Sequence, residues 1–116
     1  PNKAEVVHLI GDLDGKDVLI IDDMIDTAGT TVNAADAAMS NGANSVTAVA
    51  THAVLSGPAI DRIKDSVIKN LIVTDTVSIS DDKKLDNMKI VTVSKVFGEA
   101  IQRIYDGESV SALFEF

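Results

Sequence analysis

Residues 18–31 read Val-Leu-Ile-Ile-Asp-Asp-Met-Ile-Asp-Thr-Ala-Gly-Thr-Thr. Four branched apolar residues are followed by two adjacent carboxylates, a third acid, and a run of small and hydroxyl side chains. An apolar pattern with helical spacing comes next, over Val32, Ala35, Ala38 and Met39. The stretch therefore predicts a buried parallel strand, a polar loop that begins at Asp22, and a helix that opens on glycine and threonine.

The segment between this strand and this helix has the composition of an anion site. The first turn of a helix carries unpaired N–H groups and the positive end of the helix dipole. Ala28 and Gly29 allow the backbone to approach a ligand closely, and Thr27, Thr30 and Thr31 offer hydroxyl donors. These residues predict a phosphate site that needs no lysine.

The two vicinal carboxylates, Asp22 and Asp23, are expected to face something other than the phosphate. A lone aspartate at the end of a strand is usually a turn or N-cap residue. Two adjacent carboxylates after a buried strand repel each other, however, unless hydroxyls or a cation use them. Sugar hydroxyls or Mg²⁺ would fill that role. A phosphate on one side and hydroxyls or metal on the other are typical of a site for a phosphorylated sugar.

Strand and helix patterns alternate about four times along the chain, which predicts an α/β fold: a doubly wound, mainly parallel sheet flanked by helices. Further strands are predicted at 46–51, 71–73 and 89–94, with helices after Pro58 and over 97–105, a short strand within 6–10 and an extended tail at 109–114. The loops that begin at Asp22, His52 and Thr74 all follow strands. Because ligands of such folds bind beyond the carboxyl ends of the strands, we expect these loops to share one rim.

Composition limits the classes of function. The 116 residues suffice for one domain, and 46% are apolar but only 3% aromatic. The absence of cysteine excludes disulfides, thiolate catalysis and zinc–thiolate sites, and fits a reducing compartment. The net charge of 10 − 18 = −8 argues against nucleic-acid binding. No membrane span or signal peptide is evident, so a cytoplasmic protein is predicted. The start at Pro1 without methionine suggests a fragment.

A response-regulator receiver domain is an alternative, because it also places an acidic, Mg²⁺-binding pair after its first strand. A receiver needs a phosphoacceptor aspartate at the end of a later strand. Here the next predicted strand ends in Thr51-His52, and Asp61 falls within a helix pattern. Lys95 suits the position of the receiver's lysine, but a receiver has no use for the segment 27–31. The sugar-phosphate interpretation is therefore preferred.

Residues 18–31 resemble the phosphoribosyl-diphosphate motif of the type I phosphoribosyltransferase fold. Residues 22–30 are similar in particular to the ribose-phosphate pyrophosphokinase family, as are residues 51–59 and the ending formed by 97–101 with 107–111. The first motif is shared with the wider fold, whereas the three together are specific. The resemblance covers essentially the whole chain.

The resemblance implies an enzyme that transfers the diphosphate of ATP to the anomeric hydroxyl of ribose 5-phosphate, using Mg²⁺, to give phosphoribosyl diphosphate and AMP. It implies that ribose 5-phosphate contacts Asp22, Asp23, Asp26, Thr27, Ala28, Gly29 and Thr30. Asp22 and Asp23 would also hold the metal. Ser109 and Ser111 match a segment that binds a regulatory phosphate or ADP between subunits.

The same family has two similar domains, an active site between them, and a closed homo-oligomer, often a hexamer. This chain matches the latter part, so residues 1–116 are expected to be the C-terminal, ribose-5-phosphate-binding domain. The loop with the catalytic lysine and the ATP-binding residues have no match here, so no catalytic residue is expected in this chain. A phosphoribosyltransferase, and a non-catalytic regulatory homologue that binds phosphoribosyl diphosphate, are the alternatives.

Overall fold

The computed structural model describes Leu9 and residues 11–115. Their strands and α-helices are β1 Asp17–Ile25, α1 Gly29–Ser40, β2 Ser45–Ala53, α2 Ala59–Lys64, β3 Asn70–Thr74, β4 Met88–Val91 and α3 Ser94–Tyr105. Two 3₁₀ turns cover Asp81–Lys83 and Ser111–Phe114. The strand predicted within residues 6–10 lies outside the described residues, except for Leu9, which belongs to no regular element.

The four strands form one parallel sheet in the order β1-β2-β3-β4. Helix α1 packs on β1 and β2 and against α2, so the core lies between these helices and one face of the sheet. The largest fully buried side chains are Ile25, Val46, Leu55, Ile63, Leu71 and Val73. The predicted α/β class, with a parallel sheet and flanking helices, is confirmed. The strands follow chain order, so the described residues contain no reversal of strand order of the kind that accompanies double winding.

Helix α1 approaches the sheet closely because its inward side is small. Thr31, Ala35 and Ala38 are its buried residues. The helix ends as predicted at Asn41, whose amide bonds to the carbonyl of Ala37 at 3.1 Å. Gly42 follows with φ of +91°, a conformation that favours glycine, and this turn leads the chain into β2.

Strand β1 differs from its prediction in both length and burial. The polar loop was predicted to begin at Asp22, but β1 continues to Ile25 because it stays paired with β2 as far as Ala53. Among the described strands β1 lies at one end of the sheet, and its Leu19 and Ile21 are 62% and 74% exposed, so the prediction of a buried strand is wrong. His52, predicted to open a loop, lies within β2 for the same reason.

The predicted amphipathic helix is confirmed as α3, but none of its residues is buried. Phe97, Ile101, Ile104 and Tyr105 are all exposed. The tail at 109–114, predicted to be extended, instead forms a 3₁₀ turn closed by a 3.0 Å bond from the Leu113 amide to the Val110 carbonyl. In the part of the chain that the structure describes, no helix has both the length and the apolar run that crossing a membrane requires.

The contrast between the core and α3 can be tested by two truncations. Leu71 in β3 is fully buried, so Leu71→Ala is expected to lower the free energy of unfolding by about 2–5 kcal/mol. Ile104 is 69% exposed, so Ile104→Ala is expected to change it by less than about 0.5 kcal/mol. Urea denaturation of both variants measures the difference. A loss at Ile104 as large as that at Leu71 would show that α3 is covered in solution.

Asp75 links the end of β3 to the start of α3 and makes stability depend on pH. The Val93 amide donates to its carboxylate at 2.9 Å, and this bond, helped by the Thr92 hydroxyl, lowers the pKa of Asp75 below 3.8. A lowered folded-state pKa stabilises the protein above the unfolded-state pKa, and this contribution is lost as the pH falls through the folded-state value. The urea midpoint of Asp75→Asn should therefore fall less than that of the wild type between about pH 7 and about pH 3.

The matched control for Asp75 is Asp86→Asn, which removes one charge from an exposed carboxylate that accepts no hydrogen bond among the described residues. Its urea midpoint should follow the wild-type pH dependence. If Asp75→Asn and Asp86→Asn respond alike, the Asp75–Val93 bond does not contribute to the acid sensitivity.

Candidate functional site

A cavity of about 200 Å³ lies where β1 ends and α1 begins. Its lining residues are Asp22, Met24, Ile25, Asp26, Thr27, Ala28, Gly29, Thr30 and Thr31. Every residue predicted to bind the sugar phosphate is among them, apart from Asp23. The structure thus brings together the acidic and the hydroxyl-bearing parts of the predicted site around one space.

The turn from strand to helix leaves backbone donors at this cavity. Ala28 precedes α1 with φ of 68°, a left-handed conformation that is uncommon for a residue with a side chain, and it is buried. No side chain of the described residues caps the helix, and the first bond across the turn runs from the Val32 amide to the Ala28 carbonyl at 3.0 Å. The amides of Gly29, Thr30 and Thr31 are therefore available to an anion.

Asp22 and Asp23 form an interacting pair near the end of β1. Hydrogen bonding to the Asp23 carboxyl group, and then to the Asp23 amide at 2.7 Å, lowers the pKa of the Asp22 carboxyl. Both residues are exposed. Only Asp22 lines the cavity, in keeping with the alternation of side chains along a strand. Both carboxyl groups are accessible from solvent.

The same two aspartates offer oxygen ligands of the kind that Mg²⁺ prefers. Among the described residues, no three histidine, cysteine or acidic side chains converge into a metal site. Mg²⁺, however, is usually held by one or two carboxylates and completes its shell with water and substrate oxygens. Because Asp22 is kept ionised by its hydrogen bonds and lies beside the cavity, the pair fits that donor pattern.

The loop after β2 is hydrogen-bonded to the end of β1 and to the loop that follows it. The amides of Leu55 and Ser56 donate to the carbonyls of Ile25 and Asp26 at 3.0 and 2.9 Å. The Ser56 hydroxyl also donates to the Asp26 carboxylate. This loop was expected on the same rim, but nothing in the sequence indicates the contact between Ser56 and Asp26.

The loop after β3 reaches the same rim, as predicted. The hydroxyls of Thr74 and Thr76 donate to the Thr51 carbonyl at 2.6 and 3.1 Å. His52 is half-buried, and its Nδ1 lies 2.8 Å from Oγ1 of Thr76. The carboxyl ends of β1, β2 and β3 are thus tied together beside the cavity.

Arg62 is a neighbour of the site that sequence patterns do not reveal. Its Nη1 donates to the Thr27 carbonyl at 3.2 Å, although the guanidinium does not line the cavity. Arg62 lies inside the short helix α2, where an exposed cation is unremarkable. Only the packing of α2 against α1 brings it to Thr27.

Ser109 and Ser111 lie at the end of α3 and are exposed, with their hydroxyls 2.7 Å apart. The Arg103 guanidinium donates to the Ser109 carbonyl at 3.2 Å and lies 3.5 Å from the Glu108 carboxylate. The adjacent cavity is lined by Glu99, Gln102, Arg103, Asp106 and Glu108. Three carboxylates and one cation disfavour an anion there, so a regulatory phosphate at these serines would need cations from elsewhere.

Comparison with known proteins identifies the family to which this chain belongs. The family model described as "Phosphoribosyl synthetase-associated domain" matches residues 1–115. A ribose-phosphate pyrophosphokinase of Clostridium tetani is 55% identical over 115 residues, which cover 99% of this chain and 36% of that protein. One of Chlorobaculum tepidum is 56% identical over 114 residues, which cover 98% of this chain and 35% of that protein.

The solved phosphoribosylpyrophosphate synthetase of Mycobacterium smegmatis has a similar fold, with a TM-score of 0.83 and 34% identity. The superposition covers 84% of this chain and 33% of the other. The chain thus spans about a third of the length of the relatives that it matches. Since the family model matches the sequence from end to end, this chain belongs to the phosphoribosyl synthetase-associated domain family.

Proposed function

We propose that residues 1–116 are the C-terminal, ribose-5-phosphate-binding domain of a ribose-phosphate diphosphokinase with the type I phosphoribosyltransferase fold. The complete enzyme would transfer diphosphate from ATP to ribose 5-phosphate and release phosphoribosyl diphosphate and AMP. The observation that supports this most is the cavity at the junction of β1 and α1, where uncapped amides and paired carboxylates meet. The names of the relatives support it independently.

In this proposal the 5-phosphate lies against the first turn of α1. The amides of Gly29 and Thr30 and the hydroxyls of Thr27 and Thr30 donate to its oxygens, and the dipole of α1 adds a favourable field. Asp26 is held by Ser56 at the edge of the phosphate and orients the loop. The local field matters because the chain as a whole carries a charge of −8 and repels anions.

Asp22 and Asp23 would contact the ribose hydroxyls and hold Mg²⁺. Carboxylate oxygens accept hydrogen bonds from hydroxyls, and two of them leave most of the coordination shell of a cation to water and substrate. The metal, when bound, supplies positive charge near the diphosphate that is transferred. Asp22, which lines the cavity, would carry most of both contacts.

Catalysis would depend on residues from other parts of the longer protein. Phosphoryl transfer requires positioning of both substrates and neutralisation of the charge that develops. The residues that line this cavity contain no cation for the phosphates of ATP. In a phosphoribosyltransferase, or in a regulatory homologue, the same cavity would bind phosphoribosyl diphosphate instead, but the names of the relatives favour the diphosphokinase.

The remaining partners belong to the same proposal. A homo-oligomer of the full-length protein, with a hexamer as the expected form, is supported by the exposed apolar side chains of α3, which other parts of that protein would cover. A subunit interface would also be the source of the cations that a regulatory phosphate or ADP at Ser109 and Ser111 requires. A cytoplasmic location stays a prediction from the sequence.

Isothermal titration of the purified chain with ribose 5-phosphate, with and without Mg²⁺, tests the proposed site. Thr30→Val should weaken binding by roughly 1–2 kcal/mol, because one hydrogen bond to a charged group is lost. Thr47→Val is the matched control, since Thr47 lies in β2 away from the cavity and its hydroxyl has no hydrogen bond among the described residues. Equal affinity in both variants would place the phosphate elsewhere.

A second measurement concerns catalysis. The purified chain, mixed with ATP, ribose 5-phosphate and Mg²⁺, is expected to form no AMP, because the residues around the cavity provide nothing for the phosphates of ATP. Formation of AMP above the rate without protein would contradict the assignment of catalysis to other parts of the longer protein.

A further inference from the structure

We propose that Arg62 is a positioning residue for the sugar-phosphate site, acting through the backbone of the loop that binds the phosphate. Its guanidinium, which is not part of the cavity lining, donates to the Thr27 carbonyl, and in this proposal the bond fixes the peptide group that leads into the uncapped amides of α1. This inference rests on the proposed function and adds to it a residue on α2 that touches neither the cavity nor the ligand.

The geometry of the contact separates Arg62 from the lining residues. Nη1 of Arg62 lies 3.2 Å from the Thr27 carbonyl oxygen, whereas Thr27 itself lines the cavity. A peptide group has its carbonyl and its N–H pointing in opposite directions. Fixing the carbonyl of Thr27 toward Arg62 therefore directs the next N–H, that of Ala28, toward the opposite side.

The orientation of this carbonyl matters because of charge. A carbonyl oxygen that turned into the cavity would place a partial negative charge against the phosphate and remove a donor from it. The guanidinium prevents this with a charge-assisted bond. Among the described residues no carboxylate lies within ion-pair distance of Arg62, so its charge also adds a positive potential behind the loop.

Gly29 supplies a second observation that links Arg62 to this loop. A Cβ built on Gly29 would lie 3.3 Å from Nη1 of Arg62, the one close contact that it would make among the described residues beyond its chain neighbours and the backbone of its own helix. The absence of a side chain at Gly29 thus makes room for the guanidinium. A residue with a Cβ there would press on Arg62, whose guanidinium would have to shift by a few tenths of an ångström, and this shift would disturb its 3.2 Å bond to the Thr27 carbonyl.

Two backbone hydrogen bonds on either side of Thr27 hold the rest of the loop, and their stability can be measured to test the contact between Arg62 and Thr27. The Val32 amide bonds to the Ala28 carbonyl and the Ser56 amide to the Asp26 carbonyl, at 3.0 and 2.9 Å. Both bonds flank Thr27. If Arg62 orders the loop, its loss should raise the opening rate of these two bonds before any ligand is added.

The test compares Arg62→Met with Lys64→Met in the purified chain. Lys64 lies on the same helix, is exposed, and makes no side-chain hydrogen bond among the described residues. Arg62→Met should weaken ribose 5-phosphate binding in isothermal titration about fivefold to tenfold at low salt, allowing for solvent screening of an exposed group. Lys64→Met should stay within about twofold of the wild type.

Two further variants distinguish positioning from a general effect on the helix. Arg62→Lys keeps the charge but loses the planar fork, so it should recover only part of the affinity. Gly29→Ala should weaken binding more in the wild-type background than in the Arg62→Met background, because its cost acts through Arg62. Strictly additive losses would mean that the Cβ obstructs the anion directly, and would overturn the coupling.

Hydrogen exchange of the ligand-free chain distinguishes the positioning role of Arg62 from the proposed binding of ribose 5-phosphate. Faster exchange of the Val32 and Ser56 amides in Arg62→Met, but not in Lys64→Met, supports the ordering role whether or not the sugar phosphate binds. A wild-type chain that binds no ribose 5-phosphate would refute the proposed function. Unchanged exchange together with unchanged affinity in Arg62→Met would refute the role of Arg62.

Discussion

The backbone pairing between β1 and β2 is the interaction on which the candidate site depends. The two strands stay in register as far as Ile25 and Ala53, and the Leu55 and Ser56 amides then continue the pattern onto the carbonyls of Ile25 and Asp26. The chain therefore leaves the sheet at a defined point, and the left-handed Ala28 turns it into α1. Because these bonds are made by the backbone, the start of α1 is held in place without help from the side chains that face the cavity.

This division of roles leaves the polar side chains of the cavity available for a ligand. Asp22 interacts with its neighbour Asp23, and Asp26 with Ser56, while the amides at the start of α1 have no cap. A protein with an overall charge of −8 can attract an anion only through such a local arrangement. The helix dipole and the guanidinium of Arg62 both act within a few ångströms of the same turn.

Part of this architecture could be predicted from the sequence because it is encoded in neighbouring residues. The helix that starts at Gly29, its end at Asn41, and nearly all the lining of the cavity follow from one continuous segment. The extent of β1 could not be predicted, since Asp22 and Asp23 are poor strand residues and only the pairing with β2 holds them in the ladder.

Contacts between segments that are distant in the sequence could not be predicted either. Arg62 and Thr27 are 35 residues apart, and a cation within a short helix gives no sign of its partner. The amphipathic pattern of α3 predicted the helix correctly. It could not indicate that the apolar side of this helix is exposed, because the periodicity of a sequence identifies an apolar surface but not whether another element packs on it.

The exposed edge of β1 has a consequence for how the protein behaves in concentrated solution. Among the described residues no strand pairs with the outer side of β1, and Leu19 and Ile21 add an apolar surface beside it. An open edge of this kind can template the addition of a strand from another molecule, which is the first step of aggregation. Mutual repulsion between the negatively charged chains opposes that step, so the colloidal stability of the protein should decline as salt screens the charge or as acid removes it.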